Sequence, residues 1–311
     1  VACWLNWGFG LVVAALLARQ VARKVSGLDF GLTVAAAYSG FVVWASGLSS
    51  SIALTVATPG SPVNFIEKAT GQVVPLGRTV FAAYNLGPVL VLLVVLPVLF
   101  SRLKPAGEPV VLPPEPAEAL GPQGPEEKAL ERLPITGLLG LLGLLHLGAR
   151  LASGTLKPDL NTVILLFLSL GMVLQPRPLP YVKSWNEAAR SVGPLLLQYP
   201  LYGGILGILN SSMLVERLTD ATLWLSTPRT FGVLVFWSSN LISLFVPSGG
   251  GHWAVQGPVV VPAALKLQVA PEVAAMAVAL GEQTANIIQP FWALPLLAIA
   301  GLGVRDIMGY C

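Results

Sequence analysis

Two short polar runs interrupt otherwise apolar segments of the chain, and each is followed at the same distance by an asparagine. The first run is WASGLSSS at 44–51, and the second run is VPSGGGHW at 246–253. Gly47 and Asn85 are 38 positions apart, and Ser248 and Asn286 have the same separation. Lipid cannot hydrogen-bond a bare backbone, so polar interruptions of apolar segments favour sites inside protein or beside a water-filled cavity. The repeated spacing predicts two related halves with a site between them.

The apolar segments around the two runs predict one helical architecture used twice. Only about 14 apolar residues precede the first run, whereas a helix that crosses a bilayer needs about 20. Each run therefore predicts the tip of a re-entrant hairpin. The stretches 84–88 and 284–290 each contain an asparagine and end in a proline, and they predict breaks in the helices that follow. The predicted parts are a first hairpin plus broken helix (31–100), a polar loop (101–134), scaffold helices with interfacial arms (135–229) and a second hairpin plus broken helix (230–303).

This pattern predicts an all-α integral membrane protein, built as an inverted-repeat carrier with two re-entrant helical hairpins and two broken transmembrane helices. Residues 1–311 would form one membrane transport unit. An inverted arrangement needs an odd number of crossings between the hairpins, whereas the sequence offers four candidates. They are 79–100, 135–151, 160–175 and 193–214. The orientation of the two halves therefore stays open on sequence grounds.

The composition excludes an ordinary soluble protein. Hydrophobic residues make up 54% of the chain and charged residues 11%, whereas soluble domains carry about 25% charged residues. The mean hydropathy is +0.74. The net charge of +3 comes from basic residues near segment ends, a distribution that suits anchoring at lipid headgroups and not nucleic-acid binding. The expected partner is the lipid bilayer. Because the chain starts without Met and directly with apolar sequence, we expect it to be truncated.

The polar runs suit the binding of a small anion. Helix ends leave backbone N–H groups unpaired, and their partial positive charge attracts a carboxylate. No Arg or Lys lies within either run, so such an anion would be held loosely enough for release. The alternative is that small residues only permit close helix packing. The candidate substrate-binding residues are Ser49, Ser50, Ser51, Thr58, Asn85, Ser248, Gly249, Gly250, Gly251, His252, Gln256 and Asn286.

Glu282 is the candidate for ion coupling. It is the only acidic residue between Glu272 and Asp306, and it lies in an apolar segment. A carboxylate at membrane depth is costly and indicates a functional role such as H+ or Na+ coupling. The alternative is a structural hydrogen bond to a neighbouring helix break. For His252 the two alternatives are a proton-sensitive donor to substrate and a structural hydrogen bond.

Other site chemistry is weakly indicated. The aromatic residues Trp253, Phe291 and Trp292 flank the second run and its break, where they would either contact an apolar tail or anchor at the interface. Cys3 and Cys311 belong to no Cys/His pattern, so no cofactor is predicted and the metal ligands remain unassigned. The GxSxG and phosphate-loop motifs are absent from the sequence, which argues against an enzyme.

One stretch carries a resemblance to a known family. The run FVPSGGGHWAVQGP at 245–258 is similar to bacterial short-chain fatty acid transporters of the acetoacetate/butyrate permease type, within the ion transporter superfamily. The similarity continues in WLNWG at 4–8, ATPG at 57–60, QPFWALP at 289–295 and RDIMGY at 305–310. His252 departs from the pattern, in which Gln is expected at that position.

The resemblance implies a multi-pass protein of the bacterial inner membrane. It implies a carrier for short-chain monocarboxylates, from acetate to butyrate in size or acetoacetate. We expect a secondary transporter that works by alternating access, with symport of H+ or Na+ or no coupled ion left open. The resemblance also implies a scaffold domain with a transport domain, and it allows for a homodimer. Two alternatives remain: a passive channel or facilitator for small anions on the same scaffold, and an intramembrane enzyme.

Overall fold

The regular structure of the chain is helical. The computed structural model describes residues 1–105, 108–112, 133–156 and 159–311, and no strand occurs within these ranges. In chain order the helices are α1 (Ala2–Leu5), α2 (Trp7–Lys24), α3 (Phe30–Ser39), α4 (Ser51–Ala57), α5 (Phe65–Thr70), α6 (Ala83–Arg102), α7 (Ile135–Ala152), α8 (Leu160–Leu174), α9 (Pro178–Ser211), α10 (Leu214–Trp224), α11 (Phe231–Ser243), α12 (Gly249–Lys266), α13 (Pro271–Ile288) and α14 (Ala293–Ala300). The all-α prediction is confirmed for the described ranges.

The chain divides into two compact units. One unit comprises Val1–Pro113 and Pro194–Cys311, and the other comprises Pro114–Gly193. Most of the predicted polar loop 101–134 lies outside the described residues. The predicted arm at 181–190 and the apolar segment from 193 form one continuous helix, α9.

Two helices among the described residues are long and apolar enough to cross a membrane, namely α6 and α7. Only 11% of the apolar stretch of α6 and 17% of that of α7 is buried inside the protein. The outward surface of α6 includes Leu90 and Val94, each exposed by more than half. A core helix of a soluble protein would hide such side chains, so these surfaces suit lipid.

In the smaller unit, α7 packs against α8 through a face of glycines. A methyl group on Gly140 would lie 2.6 Å from Cβ of Met172, and the amide of Gly137 donates to the carbonyl of Pro176 at 3.1 Å. As the residue number on α7 rises from Gly137 to Gly140, the residue number of its contact falls from Pro176 to Met172, so the two helices are antiparallel. Glycines at this spacing allow close helix approach, as is common in membrane bundles.

In the larger unit, α13 is the central helix. It packs against α4, α11, α12 and the 3-10 turn Gly40–Val43. Small residues make this possible: a methyl group on Gly281 would lie 2.7 Å from Cβ of Ser239 on α11. The helix is therefore surrounded by both polar runs and the elements next to them.

Each polar run contains a serine that caps the helix beginning within it. The hydroxyl of Ser50 accepts from the amide of Ala53 at 3.3 Å and begins α4. The hydroxyl of Ser248 accepts from the amide of Gly251 at 3.5 Å and begins α12. The three glycines of the second run consequently form the first turn of a helix. A Ser cap satisfies one amide and leaves others of the first turn without an intrahelical acceptor.

The predicted helix breaks are only partly present. Helix α6 begins at Ala83 and continues through Pro88, so the predicted break at 84–88 is wrong. Pro88 lies close to the start of the helix, where it removes only the donor to the carbonyl four residues earlier. In the second half the break occurs at Gln289, which is extended and separates α13 from the turn Pro290–Trp292. The following proline disfavours a helical conformation at Gln289.

Candidate functional site

The two polar runs meet at their first helical residues. Ser51 begins α4 and Gly249 begins α12. A methyl group on Gly249 would lie 3.1 Å from Cβ of Ser51, 2.9 Å from Cη2 of Trp44 and 3.1 Å from Oε2 of Glu282. Gly249 is buried, so only a residue without a side chain fits between these three groups.

A cavity of about 140 Å³ lies at this meeting point. Its lining combines two serines, one glycine and a set of aromatic rings; these residues are Trp7, Phe41, Trp44, Ser51, Ser248, Gly249 and Trp292. Among the described residues, none of those that line the cavity has a charged side chain. The cavity therefore has a polar end formed by Ser51, Ser248 and Gly249 and an aromatic surface around it.

The start of α12 provides the hydrogen-bond donors of this polar end. Helix geometry leaves the amides of Gly249 and Gly250 without intrahelical acceptors, and the aligned peptide dipoles of the 18-residue helix give this end a partial positive charge. Helix α4 has only seven residues, so its contribution is the Ser51 side chain. This end of the cavity suits an anionic oxygen.

The first polar run is held in place by a glutamine of α13. Ser46 donates from its amide to Oε1 of Gln283 at 3.0 Å, and Nε2 of Gln283 is 3.1 Å from the Ser46 hydroxyl. Both side chains are buried. The turn before α4 is thus fixed to the central helix and does not contribute free polar groups to the cavity.

Both predicted asparagines also bind the first run. Nδ2 of Asn85 donates to the carbonyls of Ser46 and Val80 at 2.9 and 2.8 Å. Oδ1 of Asn286 accepts from Nε1 of Trp44 at 3.0 Å. Neither asparagine lines the cavity, although Oδ1 of Asn85 and Nδ2 of Asn286 are buried and have no hydrogen-bond partner.

His252 and Gln256 belong to a buried network between α11, α12 and α13. Nε2 of His252 is 2.7 Å from Oε1 of Gln256 and 3.2 Å from the Ser239 hydroxyl. Ser239 donates its proton to the carbonyl of Val278, and Nε2 of Gln256 donates to Ser238. Both neighbours of Nε2 must then accept, which assigns the ring proton to Nε2. His252 joins α12 to α11, Ser239 extends the network to α13, and His252 does not line the cavity.

The remaining predicted residues lie beside the cavity or away from it. The Ser49 hydroxyl accepts from the amide of Trp7 at 2.9 Å, and Ser50 is the cap of α4. Thr58 follows the far end of α4, where its hydroxyl donates to the carbonyl of Leu54 at 2.7 Å. Gly250 and Gly251 continue the first turn of α12.

Glu282 lies behind Gly249 at the wall of the cavity. Its side chain is fully buried, and neither carboxylate oxygen has a hydrogen-bond partner. The predicted structural hydrogen bond to a helix break is therefore absent from the described contacts. An unpartnered carboxylate inside a protein is costly, so its position next to the cavity favours a role in function.

Several site residues carry no local sequence signal. Trp7 and Phe41 lie in apolar segments that read as membrane helices, and Ser46 and Gln283 form a pair 237 positions apart. Of the predicted aromatic residues, Trp292 lines the cavity, and its Nε1 donates to the carbonyl of Pro247 at 2.8 Å. Trp253 is buried, with Nε1 donating to the carbonyl of Val63, and is not an interfacial anchor.

Comparison with known proteins identifies the family. A family model described as "Short chain fatty acid transporter" matches residues 1–311. The chain belongs to the short-chain fatty acid transporter family. The resemblance found in the sequence is confirmed, and with the two apolar helices it indicates a membrane protein.

Two curated members of the short-chain fatty acid transporter family are similar to the whole chain. A protein of Escherichia coli (strain K12) is 43% identical over 320 residues, covering 100% of this chain and 72% of the relative. A protein of Haemophilus influenzae (strain ATCC 51907 / DSM 11121 / KW20 / Rd) is 39% identical over 327 residues with the same two coverages. Both are named "Putative short-chain fatty acid transporter". No solved structure matches the chain.

Proposed function

We propose that this protein is a secondary transporter of short-chain monocarboxylates such as butyrate, acetoacetate and acetate. The single observation that carries the proposal is the cavity between Ser51, Ser248 and Gly249, where the two polar runs meet. Family membership supports the substrate class. The inner membrane is the proposed location.

The substrate carboxylate would lie at the start of α12. The amides of Gly249 and Gly250 and the hydroxyls of Ser51 and Ser248 would donate to its oxygens, and the helix dipole would favour its charge. The absence of Arg and Lys from the described lining makes this binding weaker than a guanidinium clamp. Weak binding suits a carrier, which must release its substrate.

The acyl tail would contact the aromatic rings of the cavity. Trp7, Phe41 and Trp292 supply an apolar surface, and burial of each methylene of the tail is worth about 0.8 kcal/mol. Sites for drug-sized ligands measure about 300 Å³ or more, whereas a cavity of about 150 Å³ holds a benzene molecule. A cavity of about 140 Å³ therefore fits a short acid and excludes a long one.

Transport would proceed by alternating access between two related halves. The paired runs, each with a serine cap at the start of a helix, support an inverted repeat with two re-entrant hairpins. The extended residue Gln289 between α13 and the turn Pro290–Trp292 provides a place for the chain to bend. Glu282 would couple substrate movement to an ion.

The proposal is tested by uptake of labelled butyrate and acetoacetate into proteoliposomes, with protein-free liposomes as the baseline. We expect saturable uptake, inhibited by acetate and butyrate but only weakly by octanoate. Ser248→Ala should raise the half-saturating concentration by about tenfold or more, since one hydrogen bond to a charged group is worth about 1.5–3 kcal/mol. Ser101→Ala, on the exposed end of α6, is the matched control.

The same vesicles distinguish a carrier from a channel. Unlabelled butyrate loaded inside the vesicles accelerates labelled uptake through a carrier. The binding site then returns to the outside with butyrate bound, so uptake does not wait for the return of the empty site. A channel or passive facilitator shows no such acceleration. Absence of uptake for every short acid tested would contradict the proposed function.

A further inference from the structure

Glu282 lies behind Gly249 of the cavity lining, and no oppositely charged residue of the described lining faces it. Both of its oxygens lack hydrogen-bond partners, and the side chain is fully buried. Oε2 lies next to Gly249, whose other neighbours, Trp44 and Ser51, both line the cavity. The carboxylate therefore lies directly behind Gly249, next to the place where the substrate carboxylate is proposed to bind.

Two ionised carboxylates cannot occupy this place together without a positive charge. No charged residue lines the described cavity wall, and the low-polarity surroundings provide little screening. When two carboxyl groups share such a site, one proton is retained between them. We infer that Glu282 carries a proton that it shares with the substrate carboxylate, so that each monocarboxylate crosses the membrane with one proton and without net charge. This inference rests on the proposed function.

The proton balance of the cycle is simple. Neutral Glu282 donates its O–H to an oxygen of the arriving anion, and no covalent bond changes. The loaded site carries one negative charge, shared between the two carboxylates through the proton, and reorients. On the far side the anion leaves and Glu282 releases the proton to water. The ionised Glu282 returns with the same single negative charge and binds a new proton before the next substrate, so a complete cycle moves one anion and one proton and no net charge.

The other titratable groups near Glu282 are either distant from it or engaged in hydrogen bonds or ion pairs, so Glu282 is the group that we assign as the proton carrier. On α13 itself, Glu272 forms an ion pair with Arg78 at the far end of the helix, roughly 15 Å away by helix rise. Helix α12 brings His252, whose Nε2 proton is engaged by Gln256, and Lys266 at its opposite end. Tyr38 of α3 donates its hydroxyl proton to the carbonyl of Asn286. Helices α4 and α11 and the turns Gly40–Val43 and Pro290–Trp292 carry no charged residue.

The geometry favours a proton over a metal cation. Among the described residues no group of three or more His, Cys, Asp or Glu side chains could hold a metal ion. Glu282 lies next to the start of α12, which presents amide hydrogens and a partial positive charge that disfavour a metal cation there. A proton requires only the two carboxylates.

The test measures the charge that accompanies butyrate in proteoliposomes. Labelled uptake is recorded in Na+-free medium, at the same alkaline pH on both sides, with the membrane potential set by K+ and valinomycin. For the wild-type protein we expect uptake that is unaffected by potential. Potential-dependent uptake would show that butyrate crosses as a bare anion, and loss of uptake without Na+ would show a metal-coupled carrier; either result overturns the inference and leaves the proposed function intact.

The variant Glu282→Gln then tests whether Glu282 is the residue that carries the proton. The amide donates a hydrogen bond to butyrate but cannot lose a proton, so the variant should still exchange butyrate while net uptake becomes sensitive to potential. The distribution of a single charge shifts about fiftyfold per 100 mV. Glu187→Gln, the same change on an exposed part of α9, should stay insensitive. A Glu282→Gln variant that remains insensitive to potential would overturn the assignment.

A second measurement covers the case in which Glu282→Gln is inactive. Carbodiimides react with protonated carboxyl groups in apolar surroundings, and peptide mass spectrometry identifies the modified residue in the wild-type protein. We expect labelling at Glu282 that butyrate suppresses at least severalfold. Labelling that is absent, or that butyrate does not change, contradicts the shared proton. If the wild-type protein moves no butyrate in any assay, the proposed function itself fails.

Discussion

The indole Nε1–H of Trp44 donates to Oδ1 of Asn286 at 3.0 Å, which joins residues 242 positions apart. The hydroxyl of Tyr38 reinforces this contact, since it donates to the backbone carbonyl of Asn286 at 2.7 Å. Both donors lie in or just before the first polar run, and the acceptor lies near the end of α13. The first run is therefore positioned by a helix of the other half of the sequence.

Trp44→Phe should destabilise the protein while keeping an aromatic ring in the cavity wall. Oδ1 of Asn286 loses its hydrogen-bond donor in a buried position, at a cost of about 1–3 kcal/mol. We expect a lower thermal midpoint in detergent, measured by light scattering or circular dichroism, neither of which relies on tryptophan fluorescence. Trp237→Phe, at a position 63% exposed, is the matched control and should unfold like the wild type. Equal midpoints for the two variants would show that the bond contributes nothing.

Asn85→Ala separates a structural role from direct substrate binding. Asn85 holds the carbonyls of Ser46 and Val80 and lies outside the cavity lining. We expect a loss of about 1–3 kcal/mol in stability and a lower maximal uptake rate, with the half-saturating butyrate concentration unchanged. Asn161→Ala, exposed on α8, serves as the control. A severalfold higher half-saturating concentration at unchanged stability would instead place Asn85 in contact with substrate.

Phe41→Leu should shift the preference toward longer acids. Phe41 lines the cavity and is otherwise fully buried, so a smaller side chain adds room at the aromatic end. Each additional methylene that becomes buried is worth about 0.8 kcal/mol, or roughly a fourfold change in affinity. Competition of acetate, butyrate, hexanoate and octanoate against labelled butyrate measures the shift. Phe9→Leu, on the exposed face of α2, should keep the wild-type order, and the idea is wrong if Phe41→Leu does too.

Gly249→Ala should impair binding. The added methyl group would lie 2.9 Å from the Trp44 ring and 3.1 Å from Glu282. Overpacking of this kind costs about 1–3 kcal/mol, which corresponds to a fall in affinity of about fivefold or more if the strain is relieved by filling the cavity. Gly40→Ala meets no atom within 4 Å and is the control. Wild-type uptake by Gly249→Ala would move the site elsewhere.

Local patterns in the sequence predicted the elements but not all of their ends. The serines that precede α4 and α12 are strong cap residues, and Pro290 ends the helical conformation at Gln289. Pro88 looked equivalent to Pro290, yet α6 starts at Ala83 and passes through it. Near a helix start a proline removes a single donor, but helices also pass through Pro97 and Pro258. A proline alone therefore does not fix where a helix ends.

The partners of the predicted polar residues could not be read from the sequence. His252 and Gln256 looked like substrate ligands because they lie beside the glycines, but α11 supplies Ser238 and Ser239 as their partners. Gln283 and Ser46 are joined only by the packing of α13 against the first run. A polar side chain in an apolar segment signals that some partner exists, and only the tertiary structure tells whether that partner is another helix or a ligand.

Trp292 connects the break at Gln289 to the size of the cavity. Its ring forms part of the cavity wall, its Nε1 is bonded to the carbonyl of Pro247, and its backbone belongs to the turn directly after the break. A change in the bend at Gln289 must therefore move the ring, the second run or both. If the proposed transport involves a bend at Gln289, bending and cavity volume change together, and a longer bound tail resists the bend more. The chain length of the acid would then affect the rate of reorientation as well as the affinity.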